Sequence, residues 1–210
     1  MAGTPATSCS ISNASESDYS EANACGGGTA YACYDLSPWS VCNTLSYGYA
    51  AVSFGTLQST CGHCYQMQFT GPSSNAPGDQ GSQTLVGKTM IVQAINNGGV
   101  SADQFDIMIP GGGVGANDAC TTQWNTNTND LGETYGGFLA TCKQQSADYS
   151  TYKSCVLQKC TSMFGGSGMS SLMAGCNWFL NWYGAADDPA FTYTEVTCPS
   201  ALTSNSGLHD

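Results

Sequence analysis

Tyr65-Gln66-Met67-Gln68-Phe69-Thr70 alternates apolar and polar side chains with a period of two, the pattern of a strand that buries one face. Thr89-Met90-Ile91-Val92-Gln93-Ala94-Ile95 reads as a second strand, and the Gly/Ser/Pro-rich residues 71–87 between them as a long loop. Residues 105–109, 178–183 and 191–197 complete a set of about six strands, whereas 39–53 suggest a short helix or a buried turn. Short strands at uneven spacing with glycine turns and few helices predict an all-β barrel. Residues 1–28 are small and polar and read as an irregular N-terminal segment pinned by Cys9 and Cys25. Residues 143–175 are polar, with Cys155, Cys160 and Gly165-Gly166-Ser167-Gly168, and read as an insertion packed on the barrel through disulfides. Residues 1–210 are thus expected to form a single domain.

Composition narrows the function. Four basic residues against fifteen acidic ones, for a net charge of −11, leave no basic footprint for nucleic acid and no attraction to anionic membranes. A neutral polymer suits such a surface. No apolar run approaches the roughly 18 residues of a membrane span. The twelve cysteines form an even set. Cys61-Gly62-His63-Cys64 stands alone, without the second pair that a structural zinc site needs, so neither metal nor cofactor is expected. Six disulfides in an oxidising compartment follow, hence a secreted, extracellular monomer. Met1-Ala2-Gly3 reads as an initiator placed ahead of a mature chain, and Asn13-Ala14-Ser15 is a glycosylation sequon.

The chemistry centres on Gln104-Phe105-Asp106-Ile107-Met108-Ile109-Pro110, which runs into Gly111-Gly112-Gly113-Val114-Gly115. A lone carboxylate between Phe and Ile loses hydration, which disfavours its charged form and raises its pKa. That keeps a carboxylic acid protonated as a donor. A strand-end Asp in water is the competing reading of this stretch. His63 and His209 are the only histidines, and no G-x-S-x-G elbow occurs, so Ser–His hydrolysis is disfavoured. No P-loop Lys follows residues 111–115, which read as a turn of close backbone approach.

Several segments together resemble glycoside hydrolase family 45, small secreted endoglucanases built on a double-psi β-barrel. They begin with Gly27-Gly28-Thr29-Ala30-Tyr31-Ala32-Cys33, Pro38-Trp39, Tyr47-Gly48-Tyr49-Ala50-Ala51 and Cys61-Gly62-His63-Cys64-Tyr65. They continue with residues 105–115, Tyr135-Gly136-Gly137, Gly175-Cys176-Asn177-Trp178, Trp182-Tyr183, Asp188-Pro189 and Cys198-Pro199. The resemblance implies a six-stranded double-psi β-barrel with long disulfide-pinned loops and short helices. It also implies an inverting endo-β-1,4-glucanase acting on cellulose or related β-glucans. In that chemistry an acid protonates the leaving oxygen while a base roughly 6.5–9.5 Å away activates water.

By motif Asp106 takes the acid's position, with Gln104 where the family usually has His. Ala51 is carried over as a small residue lining the cleft. Sugar rings present apolar faces to flat aromatics, so Trp39, Tyr49, Trp124 and Tyr135 join Ala51 and Gln104 as substrate-binding candidates. Trp178 and Trp182 share a parity on one strand and are assigned to the core.

The family normally opens with a Thr-Arg-Tyr-Trp-Asp-Cys-Cys strand whose Asp is the base, and no such stretch precedes Cys9. The resemblance pairs Cys9–Cys33, Cys64–Cys198 and Cys142–Cys176. Ser150-Thr151-Tyr152-Lys153-Ser154-Cys155 echoes the missing motif, which suggests that the insertion fills its place. On that hypothesis the remaining pairs are Cys120–Cys155, Cys61–Cys160 and Cys25–Cys42. Asp148 then becomes the base candidate, against a reading as a solvated loop Asp. Asp103, Asp118 and an amide-assisted water at Asn96 or Asn97 are further options. Plant expansins share the barrel and the strand aspartate but lack the base. A non-hydrolytic wall-loosening or glucan-binding protein is therefore the alternative function.

Overall fold

The computed structural model describes residues 6–16, 20–98 and 103–209, so Met1-Ala2-Gly3 lies outside the described residues. The strands are β1 (Ser8–Cys9), β2 (Tyr31–Ala32), β3 (Trp39–Ser40), β4 (Leu45–Val52), β5 (Cys64–Ser73), β6 (Thr89–Asn97), β7 (Phe105–Ile107) and β8 (Pro189–Val196). The helices are α1 (Leu57–Thr60), α2 (Gln80–Gln83), α3 (Cys120–Gln123), α4 (Gly137–Gln145), α5 (Tyr149–Phe164), α6 (Ser170–Asn181) and α7 (Ser200–Ser206).

β1 and β2 form a small antiparallel pair, and the main sheet runs β3-β4-β6-β5-β8, with β7 also on β4. β4 and β6 are parallel, and the chain returns between them through β5, which is antiparallel to β6 and to β8. β7 and β8 thus lie at opposite edges of the sheet, and among the described residues no backbone ladder joins them. Side chains join them instead. The ring of Phe105 lies 5.4 Å from that of Phe191 and 5.0 Å from that of Tyr193. Phe54 stacks on Tyr193 at 5.8 Å, and the Tyr193 hydroxyl donates to Asp103 at 3.0 Å. The sheet curls until its edges touch through aromatic rings.

Residues 39–53 hold β3 and β4 joined by a short bend rather than a helix or buried turn, because Ser46, Gly48 and Val52 alternate inward along β4 against β6. Residues 178–183 correct the expectation in the other direction. Trp178 belongs to α6, and Trp182 caps it. Leu172, Cys176, Phe179 and Leu180 bury a helical face, the Trp178 indole donates to Ser46 Oγ at 2.7 Å, and Asn181 faces out. With α4, α5 and α6 the fold is mixed and sheet-rich, not all-β. Residues 143–175 run through these three helices and their short connections, and Tyr152, Val156, Phe164 and Leu172 share one apolar core with β5 and β6.

The helices also reset the disulfides. Bonds join Cys9–Cys33, Cys64–Cys198, Cys142–Cys155 and Cys160–Cys176, leaving Cys25, Cys42, Cys61 and Cys120 as free thiols. The expected Cys142–Cys176, Cys120–Cys155, Cys61–Cys160 and Cys25–Cys42 pairs are therefore corrected. The physical reason is local: α5 packs on both α4 and α6. Cys155 on α5 faces Cys142 on α4, and Cys160 on the same helix faces Cys176 on α6.

Candidate active site

β7 carries Asp106 between Phe105, which is buried against the aromatic seam, and Ile107, which packs partly on the same core. After β7 the chain turns through Pro110 and the glycines. Gly137 at the start of α4 has φ +49°, and a Cβ there would meet Gly111 O at 2.1 Å. That close approach lets the Phe138 N–H donate to Gly111 O at 2.9 Å, so the glycine loop is held against α4. The loop, β7, Tyr135 and the start of β8 enclose an open cavity of about 1050 Å³, lined among others by Asp103, Gln104, Asp106, Trp124, Asp187 and Asp188.

Asp106 presents an exposed edge to this cavity, yet its walls strip enough water that burial raises the carboxyl above its ordinary value. Gln104 Nε2 donates to Asp106 Oδ1 at 2.8 Å and opposes the rise, while the charge of Asp188 adds to it. Gln104 steadies the carboxyl without titrating. Ala51 stands opposite Asp106 in the β4–β7 ladder and opposite Asn96 in the β4–β6 ladder. Asp106 and Asn96 thus lie about 10 Å apart, two strand spacings, with a methyl group between them.

Residues 2–209 match Glycosyl hydrolase family 45. The chain belongs to that family. It is 54% identical over 209 residues to Endoglucanase B of Cellvibrio japonicus, covering 98% of this chain and 40% of that protein. It is 35% identical to an Endoglucanase of Cryptopygus antarcticus, covering 96% of this chain and 76% of the relative. The crystal structure of the cellulase from the Antarctic springtail Cryptopygus antarcticus superposes with a TM-score of 0.74 at 33% identity, over 98% of this chain and 84% of that one. The chain thus spans well under half of Endoglucanase B.

Within this family 45 chain, some expected site residues lie elsewhere. Tyr49 is 0% exposed, and its hydroxyl donates to Leu202 O at 2.9 Å, so it is core and not a sugar platform. Trp39 packs edge-on to Tyr47 at 5.7 Å and, like Ala51, is not among the cavity-lining residues. Asp148 is the N-cap of α5: its Oδ1 accepts from the Thr151 N–H at 2.8 Å and from the Ser150 and Thr151 hydroxyls at 2.7 Å. Those bonds, led by Thr151, hold it down to about 2, which makes it a poor base, and it is not among the cavity-lining residues either. The base assignment is corrected accordingly. Asp118, in the turn before α3, accepts from the Thr121 N–H at 3.1 Å, and Asp103 precedes β7 in a left-handed turn at φ 61°. Tyr135 is 74% exposed on the cavity rim, and Trp124 is half-buried with its ring 5.1 Å from Phe164. Sequence reasoning missed Asp188 and Asn75. Asp188-Pro189 is a turn signal, but only the curl of the sheet carries it to Asp106.

Proposed function

We propose that this family 45 chain is a secreted endo-β-1,4-glucanase that cleaves cellulose or related β-glucans with inversion, Asp106 serving as the general acid. The observation that carries the reading is a partly desolvated carboxyl, raised above its ordinary value, at the wall of a cavity large enough for several sugar rings. The endoglucanase names of the relatives agree with it. A protonated Asp106 donates to the leaving glycosidic oxygen, and water attacks the anomeric carbon from the other face and releases its proton to the surrounding solvent. The row Asp106–Ala51–Asn96 lines up an amide with the acid across a small side chain, and although Ala51 and Asn96 lie outside the cavity lining, that amide is the group proposed to orient the water. Tyr135 offers an apolar face for a sugar ring at the rim. The four disulfides suit an extracellular setting. A monomer acting on a neutral polymer, without nucleic acid or membrane, fits the charge of −11.

Reducing-end release from a soluble β-1,4-glucan tests the reading. Asp106→Asn is expected to lower kcat by about 100- to 10,000-fold. Asn96→Ala is expected to lower it by about ten- to a hundredfold through loss of positioning. Equal and negligible release from the parent and Asp106→Asn, with retained glucan binding, would instead support the non-hydrolytic expansin-like function.

A further inference from the structure

Asp188 joins the helical layer to β8 in a left-handed conformation, φ 47°. A residue with a side chain pays for that backbone and keeps it only where its surroundings enforce it. Here the enforcement is dense. The Ser74 N–H donates to Asp188 O at 2.8 Å, and Asn75 Nδ2 donates to Asp188 Oδ2 at 2.9 Å. The preceding Asp187 is held as firmly. Its N–H donates to Asp79 Oδ2 at 3.1 Å, its carbonyl accepts from Ser73 Oγ at 2.6 Å, and its carboxylate meets Lys143 Nζ at 2.7 Å. Pro189 then opens β8, whose Phe191 packs on Phe105, the neighbour of Asp106. Asp106 and Asp188 therefore reach the same cavity wall from the two edges of the sheet.

We propose that Asp188 is a positioning residue for the proton donor: its charge, fixed by Asn75 and the pinned turn, keeps the proton on Asp106 until a leaving oxygen takes it. The inference rests on the acid role proposed for Asp106. Six other acidic groups line the cavity, and each is engaged elsewhere, held as a neutral acid or set on the rim. Asp187 is paired with Lys143, and Asp103 accepts the Tyr193 hydroxyl. The Cys120 thiol is pushed up to about 12, by burial first, and burial also raises the phenols of Tyr34 and Tyr183. Tyr135 stands on the solvent rim. Burial comes first in raising Asp106, and Asp188 is the neighbouring charge that adds to it.

Asp188→Asn keeps the shape and tolerates the left-handed backbone. Asp188→Gly tolerates it too and serves if the first variant folds poorly. Carboxyl ¹³C NMR of the full chain should place the Asp106 midpoint about half to one pH unit lower in either variant than in the parent. The alkaline limb of kcat/KM on a β-1,4-glucan should move down equally, with the loss confined to that side. An unmoved midpoint in a folded variant overturns the proposal, as does a loss of a hundredfold or more at every pH, which would assign Asp188 to water activation. If the parent releases no reducing ends, the hydrolase reading fails, and the NMR midpoint still decides the role of Asp188.

Discussion

A carboxyl whose pKa rises on folding weakens the fold whenever it is ionised, because the unfolded chain gives up its proton more readily than the native one. Asp106 is such a group. Its contribution is neutral below the ordinary value of 3.8 and becomes unfavourable as pH rises through the higher folded value. Asp106→Asn should therefore melt at or above the parent at pH 7 while losing activity, with the gap closing below that ordinary value. Thermal melts from pH 3 to 8 check this, and a lower melting temperature at pH 7 would contradict it. The position of Asp106 was legible in the sequence because its environment is made by Phe105, Ile107 and the following glycines. Tyr49 was not legible, because the oxygen that takes its hydroxyl belongs to Leu202, far along the chain. Asp148 has a local partner in Thr151 and a helix that begins beside it, yet the polar run 143–148 disguised that helix start.

At the scale of elements, the strands with clean alternation were readable and the helices were not. Residues 178–183 are mostly apolar, with Asn181 alone breaking the run, and length alone does not separate a buried strand from the last turns of a buried helix. The disulfides followed the same divide. Cys9–Cys33 and Cys64–Cys198 tie strands or their flanks, while the pairs within α4, α5 and α6 depend on helices that a polar, glycine-interrupted stretch does not announce. The helical layer is fastened to the sheet by Lys143 on α4, which meets Asp79 at 2.8 Å and Asp187 at 2.7 Å. Burial pushes Asp79 up, but Lys143, the N–H groups of Ser82 and Asp187, and the Ser82 hydroxyl outweigh it and hold the carboxyl below its ordinary value. The stabilisation is present above the ordinary carboxylate range and lost as pH falls through the folded value. Lys143→Met strands an Asp79 whose side chain is 1% exposed. It should cost about 2–4 kcal/mol in urea unfolding near pH 7, toward the lower end because solvent reaches Lys143. The cost should shrink as pH falls below 4, and a constant cost across that range would refute the account.

Across the whole molecule, charge is arranged more tightly than composition suggests. The chain has four basic residues, and each lysine lies over an aromatic ring: Lys88 on Trp182, Lys143 on Tyr152, Lys153 on Tyr149 and Lys159 on Phe138. The cations knit the helical layer, and the acidic excess is left to the surface. Composition revealed the acidic balance, but the use of every lysine as a cation–π contact depends on tertiary packing.

The free thiols have a consequence for handling. Cys42 is exposed, and its sulfur is lowered below its ordinary value, first by the Thr44 hydroxyl, so it is a ready nucleophile in mildly alkaline buffer. Once heat loosens the chain, that thiolate can attack any bridge and scramble partners, an interchange that cooling does not reverse. Apparent melting should then vary with scan rate, and recovery should decline from pH 6 to 9. Alkylating the thiols with iodoacetamide before heating should restore recovery, whereas complete refolding of untreated material at pH 9 would argue against interchange.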